Sequence, residues 1–400
     1  MTGALARLFG DGFRVFFLNA ALFAVLAVLV WEMWLGVHAA GGMIYALPFG
    51  MPPHLWHAHE MIFGYGTAAM GGFLMTATPG WTGARHRPQL FIGLAIGLWL
   101  AGRFAIWFSG SLPMGLVAVI DLAFLPLMAV RLVLQVVRRP KPQVLVFLLF
   151  VTLVWISNLL VHLQWTGWST DTLMTGLHAG LFSFCAMISV LAGRVVPGFT
   201  RNALKRAGVP EANWPRSPAG LTRAANGLGL LLVVGLLAGL PDAMTGVLAL
   251  AAAVAQLIRL ALWRGYLIWR QPILWSLHLA VVMLTLGLAL FGLSGLGVGS
   301  QVAALHVLGI GAVGGMTLAI MSRAILSHTG QPILAPGAVA IGYGLVALAA
   351  VLRWVASEFP ADLYFPAMLS AGAIWILAFV LFLAALGPVL FLPRLKRPTE

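Results

Sequence analysis

The stretch from Gln143 to Gln164, QVLVFLLFVTLVWISNLLVHLQ, carries no charged residue and is long enough to cross a bilayer. A spanning helix needs roughly 20 apolar residues, and a backbone in lipid must satisfy its own hydrogen bonds. This stretch therefore reads as a transmembrane helix, and the reading extends in both directions. Apolar runs lie near 13–35, 56–78, 88–108, 112–137, 143–164, 172–197, 220–240, 243–263, 272–294, 300–326, 334–355 and 362–391. A transmembrane barrel would show short alternating segments instead. The expected fold class is all-α: a polytopic membrane protein built as a bundle of about 12 transmembrane helices.

Composition agrees. The hydrophobic set makes up 61% of the 400 residues and charged residues 8%, against about 45–50% and about 25% in soluble domains. Mean hydropathy is +1.00. These values exclude a disordered chain, a collagen-like fibre and an ordinary cytosolic enzyme. The lone Cys185 excludes an intramolecular disulfide and a cysteine-ligated cluster, and it reads as a buried thiol in an apolar run. Gly3 to Arg14 carries Asp11 between two arginines and leads into a full span, so no cleavable signal peptide is expected.

The net charge of +13 would suggest nucleic acid in a soluble protein. Its distribution argues otherwise. Arg7 and Arg14 precede the first span. Arg85 and Arg87 follow the second, and Arg131, Arg138, Arg139 and Lys141 follow the fourth. Arg194, Arg201, Lys205, Arg206, Arg216 and Arg223 follow the sixth, and Arg259, Arg264 and Arg270 the eighth. Arg323 follows the tenth, and Arg394, Lys396 and Arg397 close the chain. Only Arg103 and Arg353 break the alternation. Basic residues mark the cytoplasmic side, so both termini are expected there, in a single integral membrane domain over 1–400. A proline-rich polar connector over 198–219 divides it into six-helix halves, 1–197 and 220–391, with a tail over 392–400. The connector is either a duplication joint or a long cytoplasmic loop.

With topology assigned, the ten histidines acquire depths. His54, His57 and His59 open the second span. His162 lies near the outer end of the fifth, and His178 and His306 lie about two turns inside the sixth and tenth. These six fall in the outer half. Ionisable residues inside a membrane default to functional hypotheses, and neutral imidazole suits copper, iron and zinc. His278 and His328 fall nearer the cytoplasmic side. They either form a second site or cap and hydrogen-bond. His38 and His86 read as solvated loop residues. At about 100° per residue, His57 and His59 point to nearly opposite faces of a regular helix. Either the helix starts after them or they serve different centres.

Helices two and ten share a texture: a histidine near the outer end, a glycine series, then Thr82-Gly83 or Thr329-Gly330. Glycines let neighbouring helices approach, or they provide a smooth wall for a flat macrocycle beside His306. A haem also needs propionate partners, and Arg103 is one candidate. Glu32, Glu60 and Asp121 lie in outer-half positions. They read either as neutral packing or Arg103 partners, or as catalytic proton donors from the outer face. No Cys-x-x-Cys-His motif is present, so any haem would be non-covalent.

Several segments, in order, resemble the NnrS family. They are Phe13-Arg14-Val15-Phe16-Phe17-Leu18, Trp56-His57-Ala58-His59-Glu60-Met61, Gly193-Arg194 through Arg201-Asn202, Trp275-Ser276-Leu277-His278, and Met316 through Arg323 continuing to His328-Thr329-Gly330. The resemblance implies a twelve-helix protein of the bacterial inner membrane containing haem b and copper. It implies a link to nitric oxide metabolism and tolerance of nitrosative stress. It makes His57, His59, His178, His278, His306 and His328 the candidate ligands, with His54 a further metal candidate. Function is then nitric oxide binding and its reduction at a histidine-ligated site, which would make the chain an oxidoreductase. Reduction would need an electron donor that the sequence does not identify. A version without turnover binds nitric oxide only. The alternative is a twelve-helix transporter of a metal ion or small anion. A zinc-dependent membrane hydrolase would want a base beside three ligands, and only Glu60 offers one.

Overall fold

The computed structural model describes residues 3–82, 89–138, 141–359 and 361–395. Gly83, Arg85, His86, Arg87, Arg139, Lys396 and Arg397, named above, lie outside the described residues. Among the described residues there is no strand, and eleven helices are long and apolar enough to cross a membrane. The spans are α1 (Gly12–Ala39), α2 (three continuous segments, Pro53–His59, Glu60–Gly66 and Thr67–Thr82), α3 (Gln89–Trp107), α4 (Met114–Val137), α5 (Pro142–Trp165) and α6 (Leu173–Arg206). They continue with α7 (Ala219–Leu237), α8 (Asp242–Leu262), α9 (Pro272–Gly295), α10 (Gln301–Thr329), α11 (Gly337–Glu358) and α12 (Tyr364–Phe391). The chain is a multi-pass all-α membrane protein. Eleven of the twelve apolar runs are those spanning helices, and the remaining run is α2.

Burial on α1 is typical of a helix between protein and lipid. Its small residues Ala20, Ala21, Ala24 and Ala27 are buried, while Leu22, Leu26, Leu29 and Met33 are exposed. Lipid is as apolar as leucine, so close packing of small side chains, not burial of large ones, holds such helices together. Between α8 and α9 the same logic is sharper. A Cβ added to Gly246 would lie 2.9 Å from the carbonyl oxygen of Gly292, and one on Gly292 would lie 2.8 Å from that of Gly246.

Two elements differ from the sequence reading. The first is α6, which was expected to end near Pro197. It runs through that proline to Arg206, so the irregular connector begins nine residues later than 198. A proline removes one hydrogen bond and bends a helix without having to end it. Beyond Pro197, Arg201, Ala203, Leu204, Lys205 and Arg206 are good helix formers, with the three cationic residues exposed. The second is the π-helical character of two spans. In α2, residues Glu60–Gly66 are π-helical, and in α10, residues Val307–Gly314 are. Each π segment begins directly after a histidine, His59 or His306, and each is followed closely by a threonine that bonds back to it. Thr67 Oγ1 donates to the carbonyls of Phe63 and Gly64. Thr317 Oγ1 donates to those of Val313 (2.8 Å) and Gly314 (2.9 Å). The likeness between helices two and ten is thus geometric as well as textural. π turns are rare and concentrate at functional sites.

The chain separates into two compact units. Unit 1 is Met1–Gly180 with Ser327–Gln331 and Leu383–Glu400; unit 2 is Leu181–Leu326 with Pro332–Phe382. In unit 1 the buried Arg14 ties the start of α1 to the end of the chain, donating to the carbonyls of Leu390 (2.6 Å) and Leu392 (2.9 Å).

Candidate metal centre

Unit 1 holds a buried polar cluster drawn from four consecutive spans. His59 and Glu60 come from α2, Arg103 from α3, Asp121 from α4, and Asn158 and His162 from α5. All six are at most 8% exposed. Arg103 bonds Glu60 with one terminal nitrogen and Asp121 with the other. Asp121 also accepts from Asn158 Nδ2 at 2.8 Å and meets His162 Nε2 at 2.9 Å. His59 Nδ1 lies 2.9 Å from Glu60 Oε1, and its Nε2 lies 3.0 Å from Asn158 Oδ1 and 3.4 Å from Asp121 Oδ2.

The local backbone explains how these side chains meet. Asp121 sits just before a break in α4 at Ala123, where Met114–Leu122 gives way to Phe124–Arg138. Pro126 lacks an N–H, so the carbonyl of Leu122 loses its helical donor. The indole of Trp155 on α5 supplies one instead, at 3.2 Å. On α2, the π turn leaves the Gly64 carbonyl available to Trp99 Nε1, at 3.0 Å. Gly64 itself admits Phe23 and Arg103: an added Cβ would lie 2.6 Å from the Phe23 ring and 2.8 Å from Arg103 Nη1. The glycine of the π segment is therefore what lets the guanidinium reach Glu60.

His59, Asp121 and His162 can offer ligand atoms that all lie within 4.8 Å of one another. Two imidazoles and a carboxylate are a donor set for copper, zinc or iron. His162 Nδ1 is buried without a partner, so the network as it stands leaves a metal-capable atom unused. With both carboxyls ionised, Glu60 and Asp121 carry one more negative charge than Arg103 neutralises. Uncompensated charge is costly in a membrane interior. Both His59 nitrogens face acceptors, so a second proton on its imidazole balances the charge, and a bound cation would take that proton's place.

The other sequence candidates separate. His57 stacks on Trp31 of α1, with ring centroids 4.8 Å apart, and thus faces a different neighbour from His59. His54 is exposed, and Glu32 and His178 are half-buried on α1 and α6. His328 is exposed, and its ring lies tilted against Phe13 with centroids 5.5 Å apart. In unit 2, His306 is half-buried, and its Nδ1 meets the Val302 carbonyl at 2.8 Å. A carbonyl only accepts, so Nδ1 carries the proton and Nε2 the lone pair, the form a metal requires. One turn further on, an added Cβ at Gly309 would meet nothing within 4 Å. The open space is local to Gly309, since a Cβ added at Gly311 or Gly314 would run into Met283 or Trp375.

Unit 2 also gathers three motif segments that are far apart in sequence. Thr200 Oγ1 lies 2.9 Å from His278 Nε2, and the Arg323 guanidinium lies 3.6 Å from the centre of the Phe199 ring. His278 is 6% exposed, and its Nδ1 is buried without a partner. Of the two arginines that break the charge alternation, Arg103 belongs to the cluster and Arg353 is buried within α11. Both are interior groups and not loop charges. Arg259, counted among the border arginines, is also interior at 1% exposed. It bonds Gln256 Oε1 (2.8 Å) and Ser189 Oγ (3.1 Å), and it lies over the Trp263 ring.

Asn158 escaped the sequence reading. A single amide in an apolar run has no spacing signal of its own. The usable sign was its i, i+4 relation to His162, which puts both on one helix face.

The fold and this cluster define a class: a multi-pass helical membrane protein with a buried histidine–carboxylate centre. The NnrS protein family model matches residues 7–394, nearly the whole chain, and the chain belongs to that family. No curated protein matches it.

Proposed function

We propose that this chain is a haem–copper protein of the bacterial inner membrane that binds nitric oxide and reduces it, with both termini cytoplasmic. The observation that supports a metal centre is the buried His59–Asp121–His162 donor set, in which His162 Nδ1 has no hydrogen-bond partner. The haem, the copper and nitric oxide itself are carried over from membership of the NnrS family. In this reading His59, His162 and Asp121 would hold copper, and His306 would be a candidate ligand for a non-covalent haem b. His57, His178, His278 and His328 remain further candidates, and the exposed His54 is the weakest. The bound metals supply the electron chemistry and the site where nitric oxide attaches.

The chain's own residues do the rest. Asn158 orients Asp121 and His59 through its amide. Arg103 and Asn158 hold Asp121 in place, where it would serve as a ligand. Glu60, bonded to His59 Nδ1 and to Arg103, is positioned to hold and pass a proton. Glu32, half-buried on α1, is the candidate for a proton relay nearer the outer surface.

The test is a spectrum of the detergent-purified protein, reduced with and without nitric oxide, with iron and copper counted on the same sample. The expected result is a Soret band that shifts with nitric oxide and about one copper per chain. His162→Ala should lose copper and keep the haem band, and His306→Ala should lose haem. His57→Ala is expected to lose a metal while the protein still inserts. A colourless, metal-free protein made where haem is plentiful would favour the transporter instead.

A further inference from the structure

Trp31, Trp34 and His38 lie three and four residues apart on α1, and so on one face. Their rings are stacked. His38 lies on Trp34 with centroids 4.9 Å apart and planes 17° from parallel. Trp34 lies on Trp31 at 5.2 Å and 23°. Trp31 lies on His57 of α2 at 4.8 Å and 25°. Four rings from two helices thus form one near-parallel column. Burial rises along it. His38 is exposed, Trp34, Trp31 and His57 are half-buried, and His59, two residues beyond His57, is fully buried in the cluster.

Tryptophans at a membrane border commonly act as anchors. Anchoring asks only that each ring sit at the headgroup level. It does not require the rings to lie face to face, and it gives no reason for a histidine at each end of the column. Aromatic pairs gain energy in many offset or edge-on arrangements, so three successive near-parallel contacts in line are a specific arrangement.

We propose that this column is the path by which electrons enter the unit 1 centre from the aqueous phase. It takes them at His38 from a water-soluble one-electron reductant, a reduced metal complex or metalloprotein. The proposal rests on the metal reading given above. Electronic coupling falls steeply with the width of each gap. The column replaces one long gap by contacts between adjacent π systems, and the short backbone from His57 to His59 completes the route. The donor is oxidised by one electron and the metal centre is reduced by one. The rings mediate and end unchanged, and no bond forms or breaks.

Two measurements test the route. Cys185 is the only cysteine and is buried, so His38→Cys provides the one accessible thiol for a ruthenium photosensitiser. In metal-loaded protein, which holds the electron acceptor, the label's excited state should be shorter-lived than in the same variant carrying Trp34→Leu. Equal lifetimes would overturn the coupling. In metal-loaded protein with His38 intact, reduction by hexaammineruthenium(II) is followed by stopped-flow absorbance. Trp31→Leu and Trp34→Leu should each slow it by an order of magnitude or more with metal content unchanged, and Trp34→Phe, which keeps a ring, should retain most of the rate. Unchanged rates with metal intact would overturn the route alone. A wild-type protein that binds no metal would overturn the metal reading and the route together.

Discussion

Arg103 reaches Glu60 with one nitrogen and Asp121 with the other, and all three side chains are buried. Removing one partner of such a network leaves the others buried and uncompensated. Arg103→Met is expected to destabilise the protein by about 3–5 kcal/mol, read as a lower unfolding temperature in detergent. Arg103→Lys should not restore it, because an ammonium cannot serve two carboxylates with a planar fork. An Arg103→Met protein that melts like the wild type would show that the network carries no structural load. Much of this site was legible one residue at a time. His59, Glu60, Asp121 and Arg103 stand out because ionisable groups are rare in apolar runs. Pairing of these carboxylates with Arg103 was one reading of the sequence, but which of them it would take was open. Glu60, Arg103 and Asp121 could be placed in the outer half, but nothing in their spacing said that one guanidinium would take both carboxylates, or that Asn158 would join them.

At the scale of elements, hydropathy located every span because lipid leaves the backbone no alternative to helix. The same argument is blind to the kind of helix. The π segments of α2 and α10 have the same apolar composition as their α-helical neighbours. What accompanies them is side-chain donors to their carbonyls: Trp99 from α3 and Thr67 from the next turn of α2 at Gly64, and Thr317 of α10 at Val313 and Gly314. Pro197 was a misleading stop signal for a related reason, since a proline marks a lost hydrogen bond and not necessarily an end. The two π segments differ in what their glycines do. Gly64 is crowded by Phe23 and Arg103, while Gly309 faces open space. Gly64→Ala should therefore destabilise the protein by about 1–3 kcal/mol through overpacking. Gly309→Ala should leave the unfolding temperature of the cofactor-free protein nearly unchanged. Equal effects of the two substitutions, measured side by side, would show that the crowding around Gly64 relaxes without cost.

For the whole molecule, the alternating basic residues make a topological prediction. A reporter inserted between Ala207 and Pro218, in the connector that follows α6, should report a cytoplasmic position. One inserted between Gly167 and Asp171, between α5 and α6, should report the opposite side. The reverse pattern would invert the depth of every histidine and put the exposed end of the aromatic column on the cytoplasmic side.

The order of the polar residues along the chain also bears on how the protein is made. An arginine near the centre of an isolated helix disfavours membrane insertion by about 2.5–3.5 kcal/mol. Here Glu60 on α2 is synthesised before Arg103 on α3, Asp121 on α4 comes next, and Asn158 and His162 on α5 come last. From Arg103 onward, each group arriving from the ribosome finds a partner in a helix made before its own. The cluster can therefore be assembled in the order of translation, with no ionic group waiting in lipid for a helix still to be synthesised beyond α5.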